Sequence, residues 1–169
     1  MRRKPVPPAP ESVDRLWEAH RAVPLVPGTE DDCCGRLATR LDVTPDEGRD
    51  WLVFCQSLGL ARETGRGFER LRDERSLDDL ATAFEANVFG AREVLDTLAN
   101  SDGSVTADAV FEAFEPTVPN WERHRDPNGW ERRWRGRVTA LLDWAVLFGI
   151  ARIEDGGYVA VDGRSLDAD

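Results

Sequence analysis

Lysine is almost missing from this chain of 169 residues: Lys4 stands alone against 21 arginines. The lysine-beside-carboxylates arrangement of many nucleases is therefore a poor model, because the one lysine sits in a proline-rich leader. Cysteine is also scarce. Cys33, Cys34 and Cys55 cannot build a disulfide framework, which points to a reduced, cytoplasmic setting. Zinc wants four ligands, usually in spaced pairs, and adjacent cysteines on a helix point about 100° apart, so these thiols read as packing. Cys34 and Cys55 fall on apolar faces, where Cys55→Ser is expected to destabilise. Cys33 falls off such a face, where Cys33→Ser is expected to cost little. The two histidines, His20 and His124, lack metal-like spacing. No run approaches the ~20 apolar residues of a membrane span, and the leader MRRKPVPPAP carries charge without the apolar stretch of a secretory signal. There is no G-x-S-x-G, P-loop, H-E-x-x-H or dinucleotide fingerprint. The expectation is a protein that is not an enzyme, with no cofactor, no metal and no small-molecule ligand.

What is abundant is acid. Thirty-two Asp and Glu against 22 basic residues give a formal charge of −10. Such a balance ordinarily argues against a nucleic-acid binder. An acidic, lysine-poor, arginine-retaining composition, however, resembles that of salt-in halophiles, whose acidity serves solubility and says little about partners. The local placement of the arginines then decides.

Capping signals divide the chain. Ser12 opens a helix to about Ala22 with Val13, Leu16 and Trp17 on one face; Thr29 with Asp32 opens a second, and Thr44-Pro45-x-Glu47 a third that ends at Gly59. Two strand-like pieces follow about Gly65 to Gly67. The order repeats. Ser76 with Asp79 opens a helix to about Ala86, another runs from about Val88 to Ala99, and Thr106 caps a third. After a longer loop, a helix from about Asn128 to Phe148 runs into a hairpin with an Asp-Gly-Gly turn.

The two hairpin regions superpose at an offset of 90 residues, FCQSLGLARETGRGFERL from Phe54 on WAVLFGIARIEDGGYVAV from Trp144. Gly59 pairs with Gly149, Ala61 with Ala151, Arg62 with Arg152, Gly67 with Gly157 and Phe68 with Tyr158. This helix end, L-G-L, short strand, glycine turn and aromatic resembles the junction between third helix and wing in winged-helix (winged helix-turn-helix) domains. The resemblance implies a mainly α fold with short β-hairpins, arranged as two tandem winged-helix-like modules at 11–71 and 76–161. Flexible tails are expected at 1–10 and 162–169.

Trp121 to Arg137, WERHRDPNGWERRWRGR, is the most basic stretch, with six arginines against Glu122, Asp126 and Glu131. Trp130, Trp134, Val138, Leu141, Ala145 and Phe148 make one helical stripe and are assigned to the core. Arg137 borders that stripe, where pairing with a carboxylate is expected. Arg132, Arg135 and Thr139 fall on the opposite side, with Arg123 and Arg125 in the loop, and these are the candidate DNA contacts. In the first module the third helix presents Asp46, Arg49 and Asp50, too acidic for a phosphate backbone, while the wing offers Arg62 and Arg66. Two functions follow from the resemblance: a tandem winged-helix protein that binds double-stranded DNA in transcription, or an adaptor that holds a protein partner in a DNA-processing or segregation complex.

Overall fold

In a computed structural model the described residues are 4–72 and 75–161. They form eight α-helices and two hairpins: α1 (Asp14–Ala22), α2 (Glu30–Leu41), α3 (Pro45–Ser57), β1 (Ala61–Thr64), β2 (Gly67–Arg70), α4 (Leu77–Asn87), α5 (Ala91–Ala99), α6 (Ala107–Phe114), α7 (Asn120–Arg125), α8 (Trp130–Leu147), β3 (Ala151–Glu154) and β4 (Gly157–Ala160). None of these helices is long and apolar enough to cross a membrane. Internal packing divides the chain into two compact units, Met1–Phe89 and Gly90–Asp169.

Local chemistry sets most boundaries. Thr29, Thr44, Ser76 and Thr106 each accept the N–H three residues on, satisfying a donor that the helix itself cannot. Thr44–Glu47 and Ser76–Asp79 close reciprocal capping boxes. At the far ends Gly59 and Gly149 share φ +77°, and Leu60 and Ile150 donate back to Cys55 O and Ala145 O. That six-residue closure needs a left-handed residue, which is why glycine stands at both positions.

In the first unit α1, α2 and α3 pack as a three-helix cluster, with Leu16, Leu37, Leu41, Leu52 and Phe54 buried. β1 and β2 pair antiparallel, Ala61 opposite Arg70 and Thr64 opposite Gly67. Gly28, just before α2, adds a third rung by exchanging both backbone hydrogen bonds with Phe68, at 2.9 and 2.8 Å. In the second unit α5, α6 and α8 surround Trp134, Trp144, Phe111 and Phe114. Val105 makes the same reciprocal rung with Tyr158, both bonds 2.9 Å. The expected order of helices running into a hairpin therefore occurs twice, and in each unit a rung that the sequence reading did not give for Gly28 follows the first helix. The fold is mainly α with two small hairpins.

Several expectations need correction. The segment before α8 is not all loop: a 3₁₀ turn at Glu115–Thr117 and the helix α7 occupy it, so Arg123 and Arg125 are helical. α5 begins at Ala91 and not at Val88, because Gly90 sits at φ +88° and separates it from α4. Cys33 is fully buried, for the rung between Gly28 and Phe68 passes over it and leaves its thiol 3.7 and 3.8 Å from their carbonyl oxygens. Cys55 is buried too, and desolvation pushes its thiol up to about 12. Of the leader, Pro7 is buried and Lys4 stands over the Phe89 ring at 5.8 Å. The expected tail at 162–169 lies outside the described residues.

The start of the returning strand is the tightest backbone contact in each unit. A Cβ on Gly67 (φ +127°) would collide with the backbone of Gly28, and one on Gly157 would lie 2.9 Å from Val105 O. Gly65, at the turn, meets nothing within 4 Å. Gly67→Ala is expected to lose about 2 kcal/mol or more, against less than about 0.5 for Gly65→Ala, in paired thermal melts at high salt.

Candidate nucleic-acid interface

The two units differ most at the turn between their second and third helices. In the first, α2 reaches α3 through Asp42–Thr44, with Asp42 left-handed at φ +56°. In the second the same turn is rebuilt. The caps Thr29 and Thr106 are 77 residues apart and the glycines Gly59 and Gly149 are 90 apart, so the second unit holds 13 additional residues here. α7 belongs to this extra segment, and it brings most of the arginine-tryptophan stretch with it.

One carboxylate organises the insert. Glu122 is the buried residue of α7, 2 % exposed, and its Oε2 lies 3.1 Å from Arg133 Nη2 and 3.6 Å from Arg125 Nη2. Arg133 also donates to Asp126 Oδ2 at 2.9 Å, so its planar fork spans two carboxylates and ties α7 to the first turn of α8. Arg123 reaches back to Glu115, donating to its backbone oxygen at 2.6 Å, and lies over the Trp130 ring at 4.4 Å. Arg125 covers Trp121 at 5.3 Å. Arginine serves this arrangement better than lysine would, since it grips carboxylates in pairs while stacking on aromatic faces.

The candidate contacts separate accordingly. Arg123 and Arg125 are engaged within the insert. Arg135 bridges Asp108 at 2.9 Å and Glu131 at 3.2 Å and lies 4.4 Å over Phe111, so it joins α6 to α8. Thr139 is exposed, and its hydroxyl donates to Arg135 O one turn back. Arg132 is exposed and has no ion-pair partner among the described residues. Arg137, placed beside the apolar stripe by its position, lies over the Trp134 ring at 4.6 Å. Trp134 is core at 1 % exposure, while Trp130 is half-buried against Phe111.

In the first unit Arg62 is matched across the hairpin by its register partner Glu69, 2.6 Å away. Arg66, at the exposed tip, has no ion-pair partner among the described residues. On α3, Arg49 pairs with Glu30 of α2 at 2.9 Å, which leaves Asp46 and the rest of that face acidic. The other two arginines of the wing, Arg70 and Arg72, meet the end of α1 with its Arg21, a grouping that sequence reasoning missed. Beside them His20 donates through Nε2–H to Leu71 O at 2.7 Å, and its pKa lies below the ordinary histidine value, chiefly through burial and further through Arg70 and Arg21. The clue was present as Arg21, Arg70 and Arg72, but their proximity is tertiary. No group of three or more His, Cys, Asp or Glu side chains among the described residues could hold a metal ion.

A family model described as halobacterial double winged helix domain matches residues 1–165. No curated protein and no solved structure matches the chain.

Two outcomes follow from these contacts. Glu122→Ala leaves Arg133 without half its partners in a dry setting and should cost about 3 kcal/mol, whereas Arg125→Ala, at an exposed side chain, should cost less than about 1 kcal/mol; denaturant titration separates them. For His20, the folded chain resists a proton that the unfolded chain accepts near pH 6.5. Its contribution to stability is therefore full above that value and declines as pH falls toward the lowered folded pKa. Melting temperatures between pH 7.5 and 5 should fall less steeply in His20→Gln than in the wild type.

Proposed function

The chain belongs to the halobacterial double winged helix family, and from that premise we propose that it is a cytoplasmic, non-enzymatic, transcription-associated protein that binds double-stranded DNA. The observation that carries this reading is where arginine lacks a carboxylate. Arg66 at the first wing's tip and Arg132 in the first turn of α8 are exposed and have no ion-pair partner among the described residues. Those are the two places, wing and start of the third helix, that a winged helix turns toward a duplex. Thr139 stands seven residues beyond Arg132; its hydroxyl proton is held by Arg135 O, so it offers the duplex an acceptor and not a donor. Within their own units Arg62, Arg123, Arg125 and Arg135 support these contacts indirectly, holding hairpin, α7 and α6 in place through their carboxylates. The modules that do so are taken as 11–71 and 76–161.

A protein-adaptor role is the second reading. It draws on Trp121 and Ile153, which are 51 % and 63 % exposed on the second unit. Large apolar side chains presented to water in this way suit a partner's apolar surface.

Arg66→Glu together with Arg132→Glu should weaken retention of mixed genomic fragments at least tenfold. The slope of log affinity against log salt should flatten by about two, one for each lost phosphate contact. Melting temperature should hardly change, since neither residue is in the core. Unchanged retention in the double variant would remove Arg66 and Arg132 as the DNA contacts, and absence of retention by the wild type at every salt would move the assignment to the adaptor reading.

A further inference from the structure

Many arginines of this chain have a carboxylate beside them, and those that do not are informative where they cluster. Besides Arg66 and Arg132, the first unit holds Arg15, Arg75 and a further four, Arg21, Arg40, Arg70 and Arg72, without an ion-pair partner among the described residues. These four border two neighbouring open clefts. The larger, about 650 Å³, lies between the end of α1 and the outer face of α2, with Arg21, Arg36, Arg40 and Thr39 around it. Gly35 contributes to its wall and leaves open space where a side chain would project. The smaller, about 240 Å³, is lined by His20, Leu25, Arg70 and Arg72. His20 and Arg21 are consecutive in the last turn of α1, so that turn is the rim the two clefts share.

The charge here runs against the rest of the molecule. Five guanidinium groups face two carboxylates, Asp31 and Asp32, and Asp32 is already held by Arg36 at 3.0 Å. Arg21 and Arg40 fall in the last turns of α1 and α2, where any cation complements the helix dipole by a few tenths of a kcal/mol. That accounts for each of them singly. It does not account for Arg70 and Arg72, which come from the returning strand and the residues after it and converge on the same turn.

We propose that this band, Arg40, Arg36 and Arg21 on one side of the α1 end and Arg70 and Arg72 on the other, binds a nucleic-acid strand through consecutive phosphates. Two basic clefts sharing one rim suit anions linked along a chain better than one small anion, and neither cleft is enclosed. Guanidinium groups offer paired donors to phosphate oxygens, and Thr39 adds a hydroxyl. The inference extends the DNA-binding reading by naming a second contact face, and it does not depend on Arg66 or Arg132.

The test uses the full chain and a fluorescein-labelled 20-base-pair duplex, followed by anisotropy across salt concentrations at which circular dichroism reports the folded state. Arg21→Gln/Arg40→Gln and Arg70→Gln/Arg72→Gln should each lose at least tenfold in affinity, and the salt slope should fall by about two in each. The single changes Arg40→Gln and Arg72→Gln, at exposed positions that leave the fold intact, should each lower it by about one. Replacing Arg21 and Arg40 by lysine should keep the slope. Wild-type affinity in both double variants overturns the band. So does competition by poly-glutamate as effective as that by unlabelled duplex, which would make the surface a site for acidic peptides. Loss confined to Arg66→Glu/Arg132→Glu removes the band and leaves the third-helix reading standing. Loss confined to the cleft variants supports the band and removes the third-helix reading. Absence of duplex binding by the wild type at every salt overturns both.

Discussion

A single backbone rung, repeated once in each unit, holds the architecture together. Gly28 with Phe68, and Val105 with Tyr158, exchange both main-chain hydrogen bonds and so fasten the segment before the second helix to the returning strand. Without that rung a two-stranded hairpin of four-residue strands has little independent stability. With it, the aromatic residue of the strand is held at the helix cluster, and the hairpin becomes a fixed projection of the unit. The requirement it places on sequence is narrow. Gly67 and Gly157 stand where another backbone passes too close for a side chain. In the second unit a side-chain bond adds to this, as Tyr158 donates to Asp143 of α8 at 2.6 Å, and burial together with that carboxylate raises the phenol's pKa.

Acidity imposes a second constraint, on arginine. With carboxylates in excess, a guanidinium group placed without design finds one nearby, and the rich stretch from Trp121 to Arg137 is in large part such a set of pairs. Exposed pairs of this kind contribute little each and are screened by salt, so their use is geometric more than energetic. The exception is Glu122, whose burial makes its bond to Arg133 necessary. Surface charge in this protein is therefore better judged by which cations are unpaired than by their density along the sequence.

Short-range chemistry was legible in the sequence. Thr29, Thr44, Ser76 and Thr106 cap the helices they were assigned to, and Gly59 and Gly149 end theirs, because each of these signals acts within a few residues. The stripe from Trp134 to Phe148 is core for the same reason of local period. α7 was illegible because its buried side chain is Glu122, so apolar periodicity had nothing to detect in NWERHR. Cys33 was misjudged because what covers it is a strand from the far end of the unit. The pairing of Arg135 with Asp108 and the meeting of Arg21 with Arg70 are equally non-local, separated by tens of residues.

Copies of one module in a single chain carry a particular hazard during folding, since a hairpin from one can dock on the helices of the other. The added residues at the second unit's turn, and the rings around them, work against that exchange. Trp144 and Phe148 stand where the first unit has Phe54 and Leu58, 90 positions earlier, and Phe114 stacks on the buried Trp134 at 5.9 Å, where the first unit has the exposed cap Thr44. Exchanging the elements would force larger rings into a smaller interior or leave voids in the larger one, at roughly 1–3 kcal/mol for each misfit. The divergence of the two copies thus gives each hairpin a preferred home, and both can fold on one chain without trading parts.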